Sequence, residues 1–164
     1  MDEHDVQLAK EILQNTIYAA VATSSQDGQP WNSPVFVVYD DKLNFYWASA
    51  TKSHHSQHIA ENPRVYLVVF NSTAPWGAGE GVFIQASAIE VSDPAEITHA
   101  CQLRYQRVSK ANQPPSDFTG ALPRRIYRAT PERIWVNADA TQKGYFVDTR
   151  KEIDIETLRQ ALAA

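Results

Sequence analysis

One cysteine, Cys101, stands in the whole chain, so no internal disulfide can form, and a reducing compartment is expected. No apolar run approaches the roughly 20 residues that a membrane-spanning helix needs. The opening Met1-Asp2-Glu3-His4-Asp5 is acidic, where a secretory leader would be basic and then apolar. These absences lead to the expectation of a cytoplasmic protein with no membrane partner. A large positive charge is also missing. The formal net charge is −4, so neither nucleic acid nor an anionic membrane surface is expected as the main partner. Catalytic signatures are scarce too: there is no His-Glu-x-x-His, no Gly-x-Ser-x-Gly elbow, no Walker loop and no paired-carboxylate pattern. Gly77, Gly79 and Gly81 recur at every second position, precede a strand and lack the dinucleotide spacing. A hairpin loop is the reading they support.

What is present is an ordinary globular composition, with 43% hydrophobic and 21% charged residues over 164 positions. That length suits one well-buried domain, residues 1–164, rather than two. Residues 2–15 carry Val6, Ala9, Ile12 and Leu13 at helical spacing. Strands are predicted at 17–23, 31–39, 43–48, 64–70 and 81–91, with turns at 24–30 and 40–42 and a loop at 71–80. Asp93-Pro94-Ala95-Glu96 opens a helix, with an N-cap, a proline in the first turn and Glu three residues after the cap. Ile97, Ala100, Cys101, Tyr105 and Val108 form its expected apolar face. A polar connector at 109–122 precedes two strand candidates, 126–130 and 133–137, broken at Pro131. A short strand at 145–147 and a helix capped by Asp154 close the chain. Short strands joined by hairpins predict a mainly β fold: an antiparallel β-barrel with peripheral helices.

The segment 45–63 holds the densest chemistry. An aromatic strand, Phe45-Tyr46-Trp47-Ala48-Ser49, runs into a small-residue turn and a short helix that stops at Asn62-Pro63. Helix N-termini carry partial positive charge and favour acidic residues. Here Lys52, His54 and His55 crowd that position beside Ser53 and Ser56. A bound anion, held by backbone N–H groups, Ser53 and the basic side chains, resolves the conflict. The competing reading is a plain serine cap with solvated histidines. His54 and His58 also share a metal-ligand spacing, but nothing nearby completes a ligand set, and no metal is expected. Cys101 on an apolar helix face reads as a small buried hydrophobe. Arg124, Arg125, Arg128 and Arg133 alternate faces on their strands, and most of them read as solvated. Trp31, Trp47 and Trp135 default to core packing, with a subunit interface as the alternative for Trp135.

The order of these segments resembles the pyridoxamine 5′-phosphate oxidase-like, FMN-binding split-barrel family. The resemblance runs from about Ile17 to Asn137. It rests on Pro30-Trp31-Asn32-Ser33-Pro34-Val35, then 45–49, Ser53-His54-His55, 59–65, Val82–Ala88 and Ile126–Trp135. It implies a homodimer with FMN in clefts between the subunits. Ser53, His54 and His55 match the family's Ser-Arg-Lys phosphate-binding triplet. Asn32, Ser33, Pro34 and Val35 match the strand beside the isoalloxazine ring, and Trp47, Ala48 and Ser49 the strand end near the ribityl chain. Lys52 and Ser56 extend the phosphate site, and Trp135 resembles an aromatic residue from the partner subunit. Histidines replace Arg-Lys, and the oxidase's Arg-rich C-terminal signature is absent, so vitamin B6 oxidation is not the expected activity. The resemblance implies an FMN-dependent oxidoreductase of an unidentified small molecule, with NADPH or NADH as candidate reductant. The alternatives are a non-catalytic or stress-associated flavin carrier, or a haem- or deazaflavin-binding member of the fold.

Overall fold

The computed structural model describes residues 3–109, 113–138, 141–142, 145–147 and 149–164. Residues 110–112 of the predicted connector therefore lie outside the described residues. The chain starts with α1 (Glu3–Asn15), whose Val6, Ala9 and Leu13 are buried against the barrel. The strands β1 (Tyr18–Ser24) and β2 (Pro30–Phe36) form a hairpin. Gly28 sits in its turn at φ +88°, a value costly for any residue with a Cβ. Then follow β3 (Val38–Tyr39), β4 (Phe45–Ala50), α2 (His54–Glu61), β5 (Arg64–Phe70) and β6 (Gly81–Glu90). The second half contains α3 (Pro94–Val108), a 3-10 turn (Pro115–Phe118), the long β7 (Arg124–Ala138), β8 (Thr141–Gln142), β9 (Tyr145–Phe146), β10 (Thr149–Ile153) and α4 (Ile155–Ala163). Among the described residues, no helix is long and apolar enough to cross a membrane.

One antiparallel sheet runs in the order β2-β1-β5-β6-β7-β4-β3, with β10 added to β7. The expected mainly β barrel with peripheral helices is the observed fold. Period-two alternation puts Val65, Leu67 and Val69 of β5, and Val82 and Ile84 of β6, into the barrel core with Trp47, Tyr127 and Ile134. A smaller core lies outside the barrel, where Ile97, Ala100 and Cys101 of α3 cover Val38, Tyr46 and Ile126. The Tyr46 hydroxyl lies 3.2 Å from Asp40 and 3.1 Å from Glu96, and Arg128 pairs with Glu96 at 2.6 Å. This network ties α3 to β4. Asp93 accepts from the N–H groups of Ala95 and Glu96, the expected cap.

Three expectations need correction. Pro131 does not break the strand: β7 is continuous, and the proline pairs with Ala86 beside the register shift between Gln85 and Ala86, the kind of bulge where a sheet tolerates proline. Tyr105 is exposed rather than part of the α3 apolar face, because it lies beyond the rim of the smaller core. The predicted strand 31–39 divides into β2 and β3, since the Val37 N–H turns to the Ile17 carbonyl at 2.9 Å while β3 pairs with β4.

Candidate functional site at the barrel split

The sheet does not close between β2 and β4. Among the described ladders β2 pairs only with β1, and residues 47–50 of β4 pair only with β7. The N-terminus of α2 sits at this split. Asn62-Pro63 stops the helix, and Ser53 adopts the extended N-cap conformation, φ −69° and ψ 150°. Its hydroxyl makes no cap bond. It lies instead 2.9 Å from the Ala50 carbonyl and 2.8 Å from the Ser56 hydroxyl. The first turn holds no acidic residue, so no side chain complements its N–H groups or dipole.

His55 spans the split. Its Nδ1 lies 3.1 Å from Ser33 Oγ on β2, and its Nε2 lies 2.6 Å from Ser49 Oγ on β4 and 3.2 Å from Ser53 Oγ. Hydroxyls donate or accept, so either tautomer is satisfied. The ring is 8% exposed. Burial first, then the charges of His58 and His54, push its pKa below the ordinary value near 6.5, which leaves it neutral at pH 7. Outside this hydroxyl cluster a second layer forms. The Trp31 ring lies 4.3 Å from that of the exposed His54, and His54 packs edge-on to His58 at 6.4 Å. His58 Nδ1 meets Thr23 Oγ1 at 3.1 Å, and Trp31 Nε1 donates to Ser33 Oγ at 3.1 Å.

The structure thus brings Ser33, Ser49, Ser53, His54, His55 and Ser56 together, with Lys52 exposed at the same turn. Asn32 and Pro34 point to the outer side of β2, while the Val35 side chain enters the barrel core. Trp47 differs from a ribityl neighbour. Its indole is 0% exposed and stacks on Tyr127 at 5.9 Å and 17°, so only its backbone can face a ligand. Trp31, by contrast, is 43% exposed rather than core-packed. Trp135 lies on the outer face of β7, where its ring neighbours are Tyr66 at 6.3 Å and the Arg133 guanidinium at 4.7 Å. Within one chain it is not part of the cluster. Thr23 is a participant that the motif reading missed. The signal was there: Ala19, Val21 and Thr23 alternate onto the inward face, and a polar residue there calls for a partner.

The geometry defines the class: an antiparallel split barrel with a hydroxyl- and imidazole-rich cluster at its opening. The chain belongs to the pyridoxamine 5′-phosphate oxidase family, whose sequence profile matches residues 6–138. No curated protein matches it. Three solved structures illustrate the fold. A haem-binding protein from Mycobacterium smegmatis is 16% identical with a TM-score of 0.70, over 94% of this chain and 60% of that one. The haem storage protein HutZ of Vibrio cholerae is 16% identical with a TM-score of 0.59, over 77% and 90%. An F420 reductase is 19% identical with a TM-score of 0.57, over 77% and 94%.

Proposed function

We propose that the protein binds FMN along the split, as a homodimer, and serves as a flavin-dependent oxidoreductase of a small molecule. The observation that carries this reading is the α2 N-terminus. Its N–H groups lack a side-chain cap, its first turn lacks a carboxylate, and hydroxyls converge on it. That donor set fits a phosphate. Lys52 supplies permanent charge, and the exposed His54 ring supplies a donor braced by Trp31. His55 has another role: both its nitrogens are engaged, so it orients Ser33, Ser49 and Ser53 instead of reaching the ligand. Asn32 and Pro34 on β2, with Ser49 and Ala50 on β4, border the ring and ribityl positions, and Trp135 reaches the cofactor from the partner subunit. Bound FMN supplies hydride or electron transfer at its N5, and the chain contributes orientation and electrostatics.

The test is the visible spectrum of the purified protein, followed by titration with FMN and then NADPH or NADH. A flavin spectrum bleached by reductant supports the full reading. A flavin spectrum inert to every reductant supports a carrier. A Soret band assigns haem instead, the ligand class named for two of the structural neighbours. A colourless protein that takes up no FMN overturns the proposal.

A further inference from the structure

The hydroxyls around His55 form a continuous chain that crosses the split through its ring. On one side Nδ1 meets Ser33 Oγ at 3.1 Å; on the other Nε2 meets Ser49 Oγ at 2.6 Å and Ser53 Oγ at 3.2 Å. The chain continues outward in both directions. Trp31 Nε1, which can only donate, reaches Ser33 Oγ at 3.1 Å. Ser53 Oγ lies 3.2 Å from Ser49 Oγ, 2.8 Å from Ser56 Oγ and 2.9 Å from the Ala50 carbonyl, which can only accept. The ring is buried, whereas Ser33, Ser49 and Ser53 are each half-buried. One imidazole therefore joins two partly solvated sets of hydroxyls, one on β2 and one at the end of β4 and the start of α2.

Two proton arrangements satisfy this chain. In the first, Ser33 donates to Nδ1, Nε2–H donates to Ser49, Ser49 donates to Ser53, and Ser53 donates to the Ala50 carbonyl. In the second, Ser49 donates to Nε2 and Nδ1–H donates to Ser33, whose own O–H is then free to turn to the split. Neither leaves a buried ring nitrogen without a partner, so neither carries the penalty of an orphaned polar group. Burial holds the ring neutral, with one N–H and one lone pair. An amide in the same place would keep a donor and an acceptor but could not exchange them.

We propose that His55 is a tautomeric proton relay between Ser33 and the Ser49–Ser53 pair, and that it carries the proton that accompanies hydride transfer to or from the substrate. In the oxidising direction a substrate alcohol gives hydride to bound FMN, the two-electron acceptor, and gives its hydroxyl proton to Ser33 Oγ as its carbonyl forms. Ser33 passes its own proton to Nδ1, Nε2 passes one to Ser49, Ser49 passes one to Ser53, and Ser53 releases one to water. One proton enters and one leaves, and the ring never carries charge. Once the product departs, exchange with water through both sets of hydroxyls restores the first tautomer. Run backwards, the same chain protonates a carbonyl as it gains hydride. The substrate class is accordingly an alcohol or its carbonyl. This use of the relay rests on the proposed function; the relay itself needs no cofactor.

The experiment begins with ligand-free full-length protein, labelled with nitrogen-15 at histidine and held at pH 8. Long-range proton–nitrogen NMR is expected to place both His55 nitrogens between the protonated and bare positions, the signature of rapid exchange between tautomers. One nitrogen fully protonated and the other fully bare overturns the proposal. The second measurement loads the protein with FMN, reduces it with dithionite and follows reoxidation by menadione, a quinone that takes up a proton with each hydride. His55→Asn is expected to keep FMN affinity while reoxidation slows about a hundredfold, the scale of a lost proton-transfer group. Ser33→Ala is expected to do the same, and it serves where His55→Asn fails to fold. Wild-type reoxidation rates in these variants overturn the relay. A loss of FMN affinity that accounts for the slower rate also overturns it, because His55 then only braces the cofactor site. If wild type takes up no FMN while the tautomers still exchange, the cofactor reading fails and the relay stands.

Discussion

His55 carries a pH signature. Buried between two strand lips and bonded through both nitrogens, it is held neutral, and its folded pKa lies below the unfolded value near 6.5. The unfolded chain therefore binds the extra proton first as pH falls. Stability contributed by this ring is fully present above about pH 6.5 and is lost as pH drops through that value towards the folded pKa. Urea midpoints measured at pH 8 and at pH 5.5 are expected to fall in wild type. In His55→Asn, which keeps a donor and an acceptor without titrating, the fall should shrink, and an unchanged pH slope would contradict the assignment. Trp47 makes a different claim. With its indole wholly buried against Tyr127, Trp47→Ala is expected to cost about 3–5 kcal/mol in denaturant unfolding. A loss of ligand affinity at unchanged stability would restore Trp47 to the ligand surface.

The helix α2 shows a conflict between stability and function that one substitution can separate. An aspartate at the N-cap would complement the dipole and the uncapped N–H groups, so Ser53→Asp is expected to stabilise the ligand-free protein by up to about 1 kcal/mol. The same carboxylate would face the FMN phosphate, and affinity is expected to fall about a hundredfold from like-charge repulsion. Thermal melting with and without FMN reads both signs, and parallel changes would remove α2 from the phosphate site. That conflict was legible from the sequence, because local rules govern a helix start. Longer-range features were less legible. Pro131 reads as a strand breaker until the bulge opposite Gln85 and Ala86 is known, and β10 is visible only through its pairing with β7. Trp31 and Trp47 carry the same prior for burial, yet pleat direction on two different strands exposes one and buries the other.

The outer face of the barrel bears on assembly and on the cofactor together. Tyr66 and Phe70 of β5, Phe83 of β6 and Trp135 of β7 all project away from the core, since their neighbours Val65, Leu67, Val69, Val82, Ile84, Ile134 and Val136 fill it. Phe83 pairs with Trp135 across the ladder, and Tyr66 stacks on Trp135. Tyr66 is 36% and Phe70 45% exposed, which makes an aromatic surface of the kind enriched in subunit interfaces. Beside it, the small Ala20 and Ala22 of β1 pair with Val68 and Tyr66, so bulky side chains do not screen that side of the sheet. If this face joins two copies, a charge placed in its centre separates them without touching the barrel core. Tyr66→Asp is therefore expected to convert a dimer into a monomer in sedimentation velocity, with a melting temperature governed by the intact core. Because Trp135 reaches the cofactor only from a partner in the proposed arrangement, FMN affinity should fall in the same variant, although every residue of the α2 site is untouched. A wild type that sediments as a monomer refutes the dimer outright. A Tyr66→Asp monomer that keeps full FMN affinity places the whole cofactor site within one chain.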